Sequence, residues 1–333
     1  MSVDYHVHLE EGPYSVNWLA RTAKALAFFS EKDAQVRNSL AQIEQLTKRL
    51  HNRVEEGCYS EAWLDLYLER AIQLGLKEVG LVEHLYRFQE CRRYFEAHMH
   101  LANDELGKLQ MSWLERVATI PSMNQFIDFI QSQQEKWNNH GVTLSLGIEA
   151  DFFPHGEAEL EALLANKPWD YVIGSVHFVR GWGFDNKYTA GRFEQEDLAE
   201  LYHTHTDYVC QAISSQLFDL IAHLDNLKVF SYRPEEALLL ENYTRIAETL
   251  QRHDVATEVN TGLAYRYPVK EACPSPAYLQ ILARHVIPFT LSSDAHFPDD
   301  VGTNIEQSIE LLRRNQYTSI VGFSKRKRYE ITM

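Results

Sequence analysis

The sequence predicts an α/β fold in which parallel strands, joined by crossover helices, line up as a barrel. Three observations predict it. Short apolar runs alternate with amphipathic helical runs along the chain. Polar residues fall at the ends of the apolar runs again and again. Those end residues are of one chemical kind, imidazole and carboxylate: His6, His8, Glu83-His84, Glu149, His177, His223 and Asp294-Ala295-His296. In a parallel barrel every strand delivers its last residues to the same rim. Chance placement would scatter such residues over both strand ends and the helices.

Composition narrows the class. A chain of 333 residues, 45% apolar, is globular and long enough to bury one large core or two smaller ones. No apolar run approaches the ~20 residues of a membrane span, and the chain opens directly on a charged strand, so neither a membrane anchor nor a signal peptide is expected. The formal charge of −15 disfavours a nucleic-acid surface. Small anionic substrates stay open, because bound metal ions reverse the local sign. Cys58, Cys91, Cys210 and Cys273 show no C-x-x-C spacing and read as reduced thiols of a cytoplasmic protein.

The first strand, residues 2–9, places Val3, Tyr5 and Val7 on one side and Asp4, His6 and His8 on the other. Glu10–Ser15 is a loop by its Gly-Pro pair. Residues 16–56 read as helical, with Leu40, Ile43, Leu46 and Leu50 at helical spacing. Ser60 caps the next helix, which ends at Gly75. Lys77–Val82 is a strand ending at Glu83-His84. Residues 85–140 contain two helical runs, Met111–Ile120 and Met123–Trp137, and read as an insertion or lid. The rest alternates. Val142–Ile148, Tyr171–Val176, Phe218–Ala222, Val255–Val259, Ile287–Ser292 and Ser319–Phe323 are strands; Glu157–Leu164, Glu194–Ser214, Pro234–Arg252, Pro276–Arg284 and Ile305–Asn315 are helices. Gly181-Trp182-Gly183 marks a loop, and Lys325–Arg328 reads as a basic, solvated tail. The whole, residues 1–333, reads as one barrel domain with helical insertions at about 16–56 and 88–140.

A lone His-x-His is as readily a polar strand face, and a lone Glu after a strand is as readily a cap. Together at one barrel mouth these residues make a metal site. Imidazole and carboxylate without paired thiolates suit Zn, Mn or Fe. Two or three cations in one pocket need a bridging carboxylate, and Glu149 is the natural candidate. Clustered cations acidify water and neutralise an anionic substrate, which suits phosphoester hydrolysis.

These residues carry a family resemblance. Asp4-Tyr5-His6-Val7-His8, Glu83-His84, Gly147-Ile148-Glu149-Ala150-Asp151, Gly174-Ser175-Val176-His177-Phe178, Ala222-His223-Leu224-Asp225, Val259-Asn260-Thr261 and Ser293-Asp294-Ala295-His296 stand in the order of a known pattern. The chain resembles the PHP-domain (polymerase and histidinol phosphatase) superfamily, and within it the histidinol-phosphate phosphatase branch. The resemblance implies a distorted seven-stranded, TIM-like β/α barrel with a trinuclear metal centre. One ion would take His6, His8, Glu149 and Asp294. A second would share Glu149 and add His177 and His223. A third would take His84, His296 and a residue from the loop after the first strand. The family pattern has His or Asp at the position of Tyr14, so Glu10 or Glu11 would have to serve, and Glu11 is the choice because the Gly-Pro turn aims it inward. Glu83 stands where an aspartate is common and would orient a ligand.

The function so implied is metal-dependent phosphomonoester hydrolysis by metal-activated hydroxide, with L-histidinol phosphate as substrate, and with Glu149, Asp294 and His296 in catalytic roles. Phosphate needs fixed donors, and Arg is the best geometric match. Arg266, then Arg180 and Arg87, follow strand ends and are the candidates. The insertions leave another phosphorylated metabolite open. A PHP-type nuclease acting on nucleic-acid ends and a non-catalytic metal-binding regulator compete with the phosphatase on the same residues.

Overall fold

The computed structural model describes residues 2–10, 12–30 and 39–333. Its strands, in chain order, are β1 (Val3–Val7), β2 (Glu78–Leu81), β3 (Thr143–Asp151), β4 (Tyr171–Ser175), β5 (Phe178–Val179), β6 (Trp182–Gly183), β7 (Leu220–Ile221), β8 (Ala256–Asn260), β9 (Phe289–Ser292), β10 (Ser319–Ser324) and β11 (Lys327–Thr332). Seven of them form one sheet in the order β1-β2-β3-β4-β7-β8-β9. Every neighbouring pair in it is parallel. The two edges meet: Val7 bridges Ala295, and His8 N donates to Ala295 O at 2.7 Å. The sheet thus rolls into a nearly closed seven-stranded barrel.

The helices are α1 (Val16–Phe28), α2 (Leu40–Glu56), α3 (Glu61–Leu74), α4 (Arg92–His98), α5 (Glu105–Val117), α6 (Met123–Asn139), α7 (Glu157–Leu164), α8 (Leu198–Ser214), α9 (Leu240–His253), α10 (Gly262–Arg266), α11 (Pro276–Arg284) and α12 (Ile305–Arg314). Local chemistry sets several ends. Ser60 accepts from Trp63 N to start α3, and Gly75 at φ 67° ends it in the left-handed conformation. Ser275 caps α11, with Pro at the first turn.

One ring holds four strands together. Tyr171 on β4 lies across Gly147 on β3 and Gly80 on β2, and its hydroxyl donates to Tyr5 O on β1 at 2.7 Å. A Cβ at Gly80 would stand 2.0 Å from that hydroxyl. These two glycines are there because the tyrosine needs their space.

The last strand read from the sequence lies outside the seven-stranded barrel. Ser319–Phe323 falls in β10, which pairs antiparallel with β11 in a separate hairpin. With β1 and β9 already joined, no barrel edge remains for it. The supposed basic tail is the turn and second strand of this hairpin, laid across the entrances of β4, β7 and β8: Lys325 N donates to Asp170 Oδ1, Arg326 reaches Leu217 O at 2.8 Å, and Arg328 pairs with Asp254 at 2.7 Å. The Gly181 loop is the β5–β6 hairpin. Helix starts also move: a 3-10 turn occupies 190–195 before α8, and another, Glu236–Leu239, precedes α9.

Candidate metal centre

Each ligand-type residue arrives on a strand or in the first residues after one. His6 lies on β1 and His8 just beyond it; His84 follows β2; Glu149 is on β3; His177 follows β4; His223 follows β7; Asp294 and His296 follow β9. Parallel pairing brings all these ends to one rim. Two of the turns are left-handed at non-glycine residues, His223 (φ 24°) and Asp294 (φ 53°). Such conformations cost of order 1 kcal/mol and persist where the surroundings impose them, often at functional sites.

Glu149 is the hub, 1% exposed. Its Oε2 lies 2.8 Å from His84 Nδ1 and 3.2 Å from both His6 Nε2 and His8 Nε2. Its Oε1 lies 3.1 Å from His223 Nε2 and 3.6 Å from His177 Nε2, and accepts from Ser175 Oγ at 2.5 Å. Three groups of donor atoms each fall within 4.8 Å: His6, His8 and Asp294; Glu149, His177 and His223; His8, His84 and His296.

These residues fit divalent ions. Nitrogens each ~2.0–2.1 Å from one ion sit ~3.0–3.4 Å apart. The facing Nε2 pairs are 3.0 Å (His6 and His8), 3.3 Å (His177 and His223) and 3.3 Å (His84 and His296) apart. Lone pairs so placed repel unless a proton or a cation lies between them. Glu149 Oε2 has three nitrogens around it, yet accepts a hydrogen bond in good geometry from none of them. A buried carboxylate oxygen in that state is made for a cation.

A further ring of groups turns the ligands inward. Glu258 Oε2 is 3.1 Å from His6 Nδ1, and Asp151 Oδ1 is 2.8 Å from His177 Nδ1. His296 Nδ1 faces Asp294 O at 3.0 Å. Each outer contact fixes the tautomer that leaves Nε2 for the centre. The electrostatics follow. Burial would lower His6, but Glu258, Glu149 and Asp294 hold it well above the ordinary histidine value. Burial likewise opposes charge on His177, and Asp151 and Glu149 outweigh it, pushing it up to about 10. Burial raises Glu149, and His84, His6 and His223 more than offset this, holding it well below the usual carboxylate range. His8 is driven well down by burial and the neighbouring His84, and His296 by burial and Arg266.

The candidate cations separate. Arg266, in α10, lines the cavity above the cluster and donates from Nη1 to Asp294 O at 3.0 Å. Arg180 does not line it. It sits at the β5–β6 turn, points outward and pairs with Glu200 at 2.5 Å. Arg87 is 1% exposed and packed beneath Gly12 and Tyr14, with Glu83 at 3.9 Å; it too is off the cavity wall. Glu10 is engaged elsewhere, accepting from Trp18 Nε1 at 2.5 Å and Arg53 Nη2 at 2.6 Å. Glu11 lies outside the described residues. Glu83 accepts from His84 N at 3.1 Å and Tyr59 at 3.0 Å, which orients the His84 backbone.

The cavity holds about 630 Å³. Sequence reasoning passed over Trp18 and Arg21 from α1, Trp113 from α5, and Asp185, all of which line it. It also passed over Glu258, two residues before Asn260 on the same strand face, and Asp151, which stands likewise two after Glu149. That spacing was the available signal.

Comparison with known proteins places the chain. Residues 50–262 match the PHP domain. The chain is 32% identical over 248 residues to a "Probable histidinol-phosphatase" of Deinococcus radiodurans, covering 74% of this chain and 85% of that protein. A protein of the same name from Schizosaccharomyces pombe is 23% identical, over 83% of this chain and 89% of its own. Among solved structures, the histidinol phosphate phosphatase of Lactococcus lactis subsp. lactis Il1403, complexed with zinc, L-histidinol and phosphate, superposes with a TM-score of 0.65 at 16% identity, covering 98% of each chain. The fold, the matched domain and the 32% identity agree: the chain belongs to the PHP domain family.

Proposed function

We propose that this chain is a metal-dependent phosphomonoesterase that hydrolyses L-histidinol phosphate to L-histidinol and phosphate. The observation that carries the reading is the convergence of His6, His8, His84, His177, His223 and His296 on Glu149 at the foot of a cavity that Arg266 overlooks. The names of the relatives and the ligands of the similar solved structure support the substrate.

Two or three divalent ions (zinc, manganese or iron) held by these residues and Asp294 would supply an acidified water and charge neutralisation at phosphorus. The chain's own residues do the rest. Glu149 presents one carboxylate oxygen to each half of the centre. Glu258 and Asp151 hold His6 and His177 with Nε2 facing in. Arg266 offers its guanidinium to the phosphoryl oxygens, its Nη1 anchored on Asp294 O. Trp18 and Trp113 wall the cavity. Asp294 and His296 follow β9 at the same rim and are the candidates for the proton transfer a leaving alkoxide needs.

We read residues 1–333 as one barrel domain with helical insertions. No helix among the described residues is long and apolar enough to cross a membrane. Four buried free cysteines suit a cytoplasmic protein. The test is turnover of a panel of phosphorylated metabolites with Mn, Fe or Zn, beside metal analysis. L-histidinol phosphate should be hydrolysed with the highest kcat/KM. Higher activity on single-stranded DNA ends, or stoichiometric metal without turnover of any phosphoester, would overturn the reading.

A further inference from the structure

We infer that Asp4 is a positioning residue of the metal centre: its carboxylate clamps the seam at which the barrel closes, and so sets the distance across which two of the three ligand groups assemble. This role rests on the metal-binding part of the reading above and is independent of the substrate.

The seam is the weak joint of the sheet. Neighbouring strands elsewhere share a ladder. Among the described residues, the backbones at the β1 and β9 edges meet through the single bridge of Val7 and Ala295. Two ligand groups straddle this joint. His6 and His8, delivered by β1, share one group with Asp294; His8 and His84 share another with His296; and Asp294 and His296 both follow β9. The third group, Glu149, His177 and His223, is delivered by β3, β4 and β7, away from the seam.

Asp4 stands on β1 two residues before His6, is fully buried, and belongs to none of the three groups. Its Oδ1 accepts from Ser293 N at 2.8 Å, and its Oδ2 accepts from Ser293 Oγ at 2.5 Å and Gly302 N at 2.9 Å. Ser293 immediately precedes Asp294, which makes its left-handed turn at φ 53°. One carboxylate thus holds Ser293 by both its N–H and its hydroxyl, and the turn that follows is fixed relative to β1. Hydrogen bonds to an ionised acceptor are the strong ones. An amide of the same shape does not replace this carboxylate. The two backbone N–H groups address different oxygens, so whichever atom of an asparagine becomes NH2 faces a buried N–H.

Metal-free protein is titrated with Mn(II) and with Zn(II) against a competing chelator, without substrate. Asp4→Asn should weaken the ions that straddle the seam by at least ~10-fold while one class of ion stays within ~2-fold of wild type. His177→Ala in that background should abolish the class that stayed. Ser293→Ala removes one bond and leaves both backbone N–H groups paired. It should shift the same seam ions by ~3- to 10-fold, and it decides the matter if Asp4→Asn does not fold by circular dichroism. Weakening of every class alike, unchanged affinities with a lower urea midpoint, or a wild type that binds no ion would each overturn the inference. Turnover of L-histidinol phosphate by metal-loaded wild type is measured separately, and its absence would count against the phosphomonoesterase reading alone.

Discussion

Glu258 Oε2 lies 3.1 Å from Nδ1 of His6, and the other oxygen of the same carboxylate accepts from His223 N at 3.1 Å and Asn260 Nδ2 at 2.8 Å. One buried side chain thus positions two candidate ligands delivered by different strands. Glu258→Gln should lower metal affinity and kcat/KM by ~10- to 100-fold, read by chelator competition and turnover. Both values within twofold of wild type would remove Glu258 from this role.

Gly262 sets the place of Asp294. A Cβ there would stand 2.8 Å from Asp294 Oδ2 and 2.9 Å from Asp294 Cβ. Gly262→Ala should displace the carboxylate and cost at least ~10-fold in kcat/KM with the fold intact by circular dichroism. Wild-type rates would mean that Asp294 has room to yield.

Arg266 lines the cavity, with Nη1 3.0 Å from Asp294 O. Arg266→Ala should raise KM for a phosphomonoester by ~10- to 100-fold while Tm moves by no more than ~2 °C. Unchanged steady-state kinetics would take it out of the site.

The α2 helix is fastened to the barrel by Arg53. Its guanidinium meets Glu10 at 2.6 Å and lies 4.6 Å over the Trp63 ring, and both charged side chains are buried. Removing one partner of such a pair leaves the other desolvated. Arg53→Ala should cost about 3 kcal/mol, seen as a lower urea midpoint. A midpoint shift worth under ~0.5 kcal/mol would show a pair that does no fastening.

His205 in α8 is buried, with Nε2 3.2 Å from Asn226 Oδ1. Burial pulls its pKa down from 6.5 to about 4, and the hydrogen bond opposes this only in part. The fold therefore favours the neutral ring. Its contribution is whole above pH ~6.5 and is lost as pH falls toward 4, where the unfolded chain takes up a proton that the folded chain refuses. The loss approaches ~3 kcal/mol on an order-of-magnitude basis. Metal-stripped wild type should lose stability between pH 6.5 and 4 more steeply than metal-stripped His205→Gln, by urea titration; parallel curves would show that His205 titrates normally.

The centre was legible because its signal repeats. His6, His8, His84, Glu149, His177, His223, Asp294 and His296 each lie at or near a strand end, and parallel connection sends every such end the same way. Glu258 and Asp151 were harder, since a buried carboxylate inside an apolar strand looks alike whether it orients a histidine or pairs with a distant cation. The arginines divided by local geometry. Arg180 (φ 53°) and Gly181 (φ 75°) form the tight turn of the β5–β6 hairpin, which throws the Arg180 side chain out to Glu200. Arg87, in a 3-10 turn, is folded under the Gly12–Tyr14 loop.

The succession of strands along the chain and the kind of atom at each strand's end were thus determined by the sequence itself, because both follow from short-range periodicity and the chain direction. Only the tertiary structure decided that Glu149 touches both halves of the centre, that Arg266 alone among the three proposed arginines lines the cavity, and that Asp185 lines it too. A loop side chain takes its direction from contacts with residues far away in sequence, and no local pattern encodes those.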